Sequence, residues 1–379
     1  MPASRTVSSL VVAMVLDTFD DVRNGAVIST LRFSAFLGKN GHTVILVGSG
    51  QPGPDRVLLQ PFYPPFFKKV MQRMHFIFAW PDRRLLRQAF QAADLVHIQF
   101  GFYLGMRAIG IARALNKPVV VTFHVQAEQL LYNVGLRKPW IVRLVYRLWL
   151  LLFYNRADLV VCPSKFAEEE LRRYGLKRPA VVISNGIMPE YRVVSTDFDP
   201  CPGYFHLLSV GRNAAEKRQD MLIRALARCR HRERIRLTIA GTGPLRGALE
   251  ALARQLLPEG CVRFEYLPQH ELIRWYNSAD LYVHASAVEV ECMAATEAMA
   301  CGLPLLIANA PLSAARQFAL GPEFLFEDES GLAEKIDYWF EHREALTAAR
   351  GNYLARAEAY RIESSVERLL AAYRSLLEA

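Results

Sequence analysis

The sequence contains no Cys-x-x-Cys pair, no Asp-x-Asp segment poised as a metal site, no low-complexity tract, and no uninterrupted apolar run of about 18 residues. Each absence removes a class of protein. The cysteines Cys162, Cys201, Cys229, Cys261, Cys292 and Cys301 are scattered, so a disulfide frame or a cysteine metal site is not expected; they read as small buried residues of a reducing compartment. Without a long apolar run, no spanning helix is expected, and the start MPASRTVSS, leading into LVVAMVL with no small-residue cleavage site after it, is not expected to be a signal peptide. The first strand-turn, DTFDDVRNG, lacks a glycine-rich pyrophosphate loop, which argues against a nicotinamide oxidoreductase.

What is present is a long alternation of short apolar runs and amphipathic segments, the pattern of βαβ units around parallel sheets. At 379 residues the chain exceeds one ordinary core, and two doubly wound α/β domains facing a cleft are expected. Strands are predicted at 10–16, 43–47, 95–98, 118–122, 159–162 and 180–183, and again at 205–210, 236–240, 262–264, 281–284 and 305–307. The irregular stretch 193–205 reads as a linker, giving domains at 1–198 and 204–355. The helical run from 331 onward ends in a helix, 356–379, expected to pack back on the first domain. Charge is unevenly shared: residues 1–200 hold 25 Lys and Arg against 14 Asp and Glu, residues 201–379 hold 21 against 23. The basic half is expected to face an anionic partner, a membrane surface or nucleic acid; no nucleic-acid-binding motif accompanies the charge, so the membrane is favoured.

The densest chemical signal is SAVEVECMAATEAMACGLP, residues 286–304, which sets Glu289 and Glu297 eight positions apart at the mouth of a helix. Eight residues are a little over two helical turns, so a Glu just ahead of the helix and one inside it can lie on roughly one side, about 12 Å apart along the axis, and one carboxylate can hold sugar hydroxyls and the other a ribose. Between them, the first N–H groups of the helix, around Cys292, Met293 and Ala294, suit a diphosphate. Further upstream, Gly211-Arg212 and Lys217 lie where a strand passes into a helix, and the two cations are placed to neutralise a diphosphate. Gly25, after the first strand, allows close backbone approach to phosphate or sugar, or is a plain turn. His124 ends VVVTFHV at the carboxyl end of a strand, where ligands of open sheets collect. The turn Gly241-Thr242-Gly243-Pro244 is a weak signal and lacks the spacing of a dinucleotide fingerprint.

Together these motifs resemble the retaining GT-B glycosyltransferases over nearly the whole chain: Gly-Arg followed by Glu-Lys, the GTGPL turn, the Glu-seven-Glu spacing and EAMACGLP occur in family order. Within that family, VVVTFHVQAE, NGAVISTLRF and residues 308–342 resemble the bacterial 1,2-diacylglycerol 3-glucosyltransferases. The resemblance implies a GT-B fold and a UDP-sugar donor. It implies catalytic or donor roles for His124 (the sugar near the reacting carbon), Arg212 and Lys217 (diphosphate), Glu289 (sugar hydroxyls), Glu297 (ribose), and Gly25 (phosphate side). Ser164–Phe166 and Asn185-Gly186 would shape the cleft and hinge. Two segments depart: Val290-Glu291-Cys292-Met293 replaces a Gly-Phe-Gly type segment, and Glu265-Tyr266 stands where a glycine is common.

Residues 135–156 combine Arg137, Lys138, Arg143 and Arg147 with Trp140, Tyr146 and Trp149, a basic aromatic helix suited to an anionic interface where each cation contributes roughly 1 kcal/mol. The competing reading is that Leu144, Leu148, Leu151 and Leu152 form the stripe packed on the sheet. Residues 61–80 add a second apolar and basic cluster. The expectation is a peripheral enzyme of the cytoplasmic membrane face. It would move a hexose, glucose, from a UDP-sugar to diacylglycerol with retention and without metal or other cofactor. The alternatives are the same chemistry on a lipopolysaccharide or polysaccharide acceptor, and a non-catalytic membrane-binding protein.

Overall fold

The computed structural model describes residues 9–21, 24–63, 77–133, 135–136 and 138–378. Contacts divide the chain into two units. The first holds the chain up to Ala127, then Lys138–Asn185, then Ile362–Ala379; the second holds Glu128–Arg137 and Gly186–Arg361. Each unit is built on one parallel sheet. In the first, the strands lie in the order Arg56–Leu58, Thr43–Ser49, Val11–Thr18, Leu95–Ile98, Val119–Thr122, Leu159–Cys162 and Ala180–Val182. In the second the order is Val262–Glu265, Ile235–Ala240, Phe205–Val210, Leu281–His284, Leu305–Ala308 and Leu325–Phe326. Both orders turn back at the first strand, the Rossmann-like switch point that sends successive loops to opposite sides. The central strands are buried along their length, which is why they read as continuous apolar runs and not as alternations.

A small repeated device sets the register. Ala-Asp-Leu occurs at residues 93–95, 157–159 and 279–281, each time opening a strand. The Asp carboxylate accepts from an N–H at the start of the neighbouring strand: Asp94 from Val11 at 2.7 Å, Asp158 from Val119 at 2.8 Å, Asp280 from His206, the second residue of its strand, at 2.7 Å. Its own N–H donates back to the same residue's carbonyl, at 2.7, 2.9 and 3.0 Å. One Asp thus pairs both the N–H and the C=O of its neighbour at the amino end of the sheet, the first through its carboxylate and the second through its own backbone N–H.

Two domain boundaries differ from the sequence reading. The crossing falls at Asn185/Gly186, not in 199–203, because Ile187 and Tyr191 are already buried in the core of the second unit and the Ile187 N–H donates to the Tyr360 carbonyl at 2.7 Å. The return falls at Arg361/Ile362, so residues 356–361 stay with the second unit. The terminal helix Ile362–Glu378 is part of the first: Ile362, Val366, Leu369, Leu370 and Tyr373 form its buried face. The Tyr373 hydroxyl meets His97 Nδ1 at 2.6 Å, and His97 Nε2 meets Thr122 Oγ1 at 2.6 Å, tying the helix to two strands through a buried ring that burial keeps neutral, with a pKa lowered to about 3.

At the carboxyl end of the first strand, Asp17 is almost fully buried and accepts from the Ala79 N–H at 3.1 Å. Burial pushes its pKa up to about 7, and the one backbone hydrogen bond offsets this only in part. A folded pKa above the ordinary 3.8 means the group favours folding in its protonated form, and that contribution is lost as pH rises from 3.8 through about 7. Asp17→Asn is therefore expected to gain stability over the parent chain at pH 8 and to lose most of that advantage at pH 5, read from urea midpoints. A stability gap that does not change between the two pH values counts against this.

Candidate active site

The second unit concentrates the charged residues singled out in the sequence at the carboxyl ends of its strands. After Phe205–Val210, Gly211 turns the chain with φ +153°, and after Ile235–Ala240, Gly241 does so with φ +150°. The two turns touch: a Cβ on Gly241 would stand 2.0 Å from the Gly211 carbonyl oxygen, and one on Gly243 would stand 2.4 Å from that of Asn213. The GTG turn, weak as a sequence signal, is thus what lets the Gly211–Asn213 segment lie flat against the sheet end. Backbone bonds between Asn213 and Thr242 (2.9 Å) and Leu245 (3.1 Å) secure it.

That segment leads into the short turn Ala215–Lys217, whose Glu216 carbonyl accepts from Ala287 N–H at 2.8 Å and Ser286 Oγ at 3.1 Å. The Arg212 and Lys217 side chains are thereby held beside the loop that carries Glu289. Arg212 donates to the buried Glu216 carboxylate at 2.8 Å, and Lys217 forms an ion pair with Glu289. Glu289 also accepts from His284 Nε2 at 3.1 Å, and the Cys292 sulfur lies 3.4 Å from the same nitrogen. Burial alone would push the Glu289 carboxyl up, but the Lys217 ammonium and His284 outweigh it and hold its pKa at about 2. Burial likewise works against charge on Lys217 and His284; Glu289 and the Cys292 sulfur outweigh it, and the His284 pKa rises to about 9.

Glu289 lies ahead of the helix and Glu297 inside it. Glu289 sits in a two-residue strand paired with Leu312–Ser313, and the helix begins only at Met293. Cys292 between them has φ +95° and ψ 80°, a left-handed conformation that forbids one continuous helix from 289 to 297. This conformation also accounts for glycine being usual in that segment of the resembled family. The helix ladder starts with the Ala295 N–H bonding the Cys292 carbonyl at 3.2 Å, leaving the N–H groups of Met293 and Ala294 outside it. Glu297 is buried on that helix and accepts from the Tyr276 hydroxyl at 3.4 Å.

In the first unit, Gly25 is the first residue of the helix Gly25–Lys39, after the cap Asn24, whose side chain accepts from Ala26 N–H at 3.0 Å. His124 is half-buried beyond the end of Val119–Thr122; its Nε2 lies 2.9 Å from the side-chain amide oxygen Oε1 of Gln99 and so donates, leaving Nδ1 as acceptor. Burial lowers its pKa to about 3, so the ring is neutral. His124 lines a small cavity with Ser29, His97, Gln99 and Asn185. Ser164 caps the helix Lys165–Tyr174 and Asn185 accepts from Ser29 Oγ at 2.7 Å, both structural duties.

On the helix Pro139–Leu152, the buried stripe is Val142, Tyr146 and Leu150, with Tyr146 stacked on Tyr174 at 3.9 Å. Leu144, Leu148, Leu151 and Leu152 are exposed, at 48, 45, 68 and 39%, and so is Trp140, at 63%. The reading of those leucines as the core stripe is thereby overturned. Lys138, Arg143 and Arg147 are exposed, and Trp149 is half-buried. Arg137 and residues 64–76 of the upstream cluster lie outside the described residues. No described helix is long and apolar enough to cross a membrane.

Sequence reasoning passed over three side chains of this site. His284 ends a strand five residues before Glu289, the same strand-end signal that had singled out His124. Glu216 was visible only as part of a motif. Cys292 was read through its backbone N–H, and its sulfur was set aside for lack of a Cys-x-x-Cys pair, whereas the fold gathers His284, Glu289 and Cys292 from a strand end and a loop.

Residues 23–191 match the model of glycosyltransferase family 4, and residues 202–355 that of glycosyl transferases group 1. The chain belongs to the GT-B glycosyltransferases. It is 26% identical over 330 residues to alpha-monoglucosyldiacylglycerol synthase of Streptococcus pneumoniae, covering 79% of this chain and 71% of that one. It is 28% identical over 323 residues to a GDP-mannose-dependent alpha-mannosyltransferase of Mycolicibacterium smegmatis, covering 79% and 80%. Among solved structures, Anabaena HepE, crystallised with UDP and glucose, shares the fold with a TM-score of 0.75 at 19% identity, covering 97% of this chain and all of that one.

Gly241→Ala is expected to lower stability by about 2 kcal/mol or more, because the new methyl meets backbone on a left-handed residue. Thermal unfolding checks this; an unchanged melting temperature would mean the two turns do not touch.

Proposed function

We propose that this enzyme transfers glucose from a UDP-sugar to diacylglycerol with retention, working as a peripheral protein at the cytoplasmic face of a membrane. The observation that carries the lipid acceptor is the helix Pro139–Leu152, whose open face interleaves Trp140, Leu144, Leu148 and Leu151 with Arg143 and Arg147. Exposed apolar side chains among cations match an anionic interface, where the apolar groups enter the acyl boundary and the cations meet the headgroups. The name of the pneumococcal relative points the same way.

The donor assignment rests on the charge cluster. Glu289 takes the sugar hydroxyls, Glu297 the ribose, and Arg212, Lys217 and the N–H groups at Met293 and Ala294 take the diphosphate. In the first unit, Gly25 offers backbone to the phosphate side and neutral His124 accepts a sugar hydroxyl at Nδ1. In the reaction the acceptor oxygen bonds to the anomeric carbon as the bond from that carbon to the diphosphate breaks. The hydroxyl proton passes to the departing diphosphate. Arg212 and Lys217 stabilise the charge that develops there, the work a divalent ion does elsewhere, so turnover proceeds without metal. Activity that vanishes in chelator and returns with magnesium would contradict this.

Purified protein is to be incubated with anionic vesicles holding diacylglycerol and, separately, UDP-glucose, UDP-galactose, UDP-glucuronic acid and GDP-mannose, the last because one relative is named for it. A single hexosyl-diacylglycerol from UDP-glucose is expected by mass; lipid product from GDP-mannose alone would replace the donor. Glu289→Gln is expected to cut product formation by about 10²-fold or more, the scale of losing one aligned electrostatic contact; undiminished turnover would remove Glu289 from the catalytic machinery, and no turnover by the parent chain with any donor would return the reading to a non-catalytic protein. Reversing Arg143 and Arg147 to Glu is expected to abolish lipid product on vesicles while slow donor hydrolysis continues. Intact vesicle activity in that variant would refute membrane docking through this helix.

A further inference from the structure

The cluster at Glu289 has a property that sugar binding does not require. His284 Nε2 is 3.1 Å from Glu289 Oε1 and 3.4 Å from Cys292 Sγ, and one ligand atom from each residue lies within 4.8 Å of the other two. A tetrahedral zinc ion with bonds of about 2.0 Å to nitrogen and oxygen and 2.3 Å to sulfur has edges of about 3.3 Å between nitrogen and oxygen and about 3.5 Å between nitrogen and sulfur. The two observed edges match these closely. All three side chains are buried, so the donors are held in place by packing. Imidazole, carboxylate and thiolate together form a borderline-soft set that favours zinc over magnesium or calcium.

We propose that His284, Glu289 and Cys292 form a three-ligand site for a zinc-class divalent cation, and that its occupation excludes the donor sugar. The exclusion rests on the assignment of Glu289 to the sugar hydroxyls made above. Binding costs two protons and one ion pair: the Cys292 thiol and the His284 imidazolium each release a proton to solvent, the latter from Nε2, and the Lys217 ammonium leaves Glu289, since the metal takes the oxygen it pairs with. The occupied site carries no net charge, as the dication offsets thiolate and carboxylate. The cation thus acts as an inhibitor, in keeping with turnover that uses Arg212 and Lys217 in place of metal.

The test uses the full chain, stripped by chelator and titrated with Co²⁺ as a spectroscopic stand-in for zinc, with UDP-glucose binding measured separately by calorimetry. One equivalent is expected to give intense tetrahedral bands and a sulfur-to-cobalt charge-transfer band, displaced by Zn²⁺ and suppressed by UDP-glucose. Cys292→Gly is the informative variant, because glycine accepts φ +95° without strain and the fold is preserved. It is expected to lose the charge-transfer band and at least about tenfold in zinc affinity, given that even outer-shell partners are worth that much. Weak octahedral bands in the parent chain, or an unchanged sulfur band in Cys292→Gly arising from another cysteine, would overturn the site while leaving donor binding as it stands. Cobalt bands that persist under UDP-glucose at concentrations shown to saturate the protein would uphold the three-ligand site but overturn both the exclusion and the placement of the sugar on Glu289.

Discussion

The buried pair of Lys217 and Glu289 is the interaction on which the second unit's working end depends. Taking an ammonium and a carboxylate out of water costs several kcal/mol per ion, which mutual attraction repays only with good geometry and further hydrogen bonds. Here His284 supplies one of those bonds, and the Glu216 carbonyl, bonded by Ser286 and Ala287, keeps the lysine's turn against the glutamate's loop. Removing either partner leaves the other charged and buried, a loss of roughly 3–5 kcal/mol in comparable cases. An arrangement so costly to leave half made is also poised for a ligand: in the proposed donor complex a polyhydroxylated sugar at the carboxylate and a diphosphate at the cations would replace one set of compensating contacts by another.

The same economy explains why glycines and a strained cysteine gather at this end of the sheet. Side-chain charges can converge only if the loops carrying them approach to backbone contact, and the Gly241 turn meets the Gly211 carbonyl with no room for a Cβ on Gly241. Cys292 holds a left-handed conformation that glycine would adopt freely, at a cost of the order of 1–3 kcal/mol. What the chain gains in return is a sulfur within reach of His284.

The two units divide the chemistry along the lines of their charge. The basic first unit carries an amphipathic helix whose open face is apolar and cationic, and a neutral histidine beside a small cavity. The second carries the Arg212–Glu216 and Lys217–Glu289 pairs and the helix start at Met293 and Ala294. The terminal helix, locked by Tyr373 and His97, joins the first unit's core although it follows the second in sequence.

Much of this was legible from residue order alone. Strands buried on both faces must be apolar throughout, so the central strands of both sheets could be located within a residue or two, and with them the strand ends where Arg212, Lys217, Glu289 and His124 lie. Short edge strands such as Arg56–Leu58 and Leu325–Phe326 were not visible, because two or three residues carry no periodicity. The sequence by itself determined the class of fold, the motif order and the sign of the charge on each half, all of which depend on local spacing and composition. Which leucines of Pro139–Leu152 face solvent, where the chain crosses between units, and that His284 and Cys292 join Glu289 were decided only by the tertiary structure. Those outcomes depend on which face a neighbour covers and on a single left-handed residue, and neither is written in the spacing of the residues themselves.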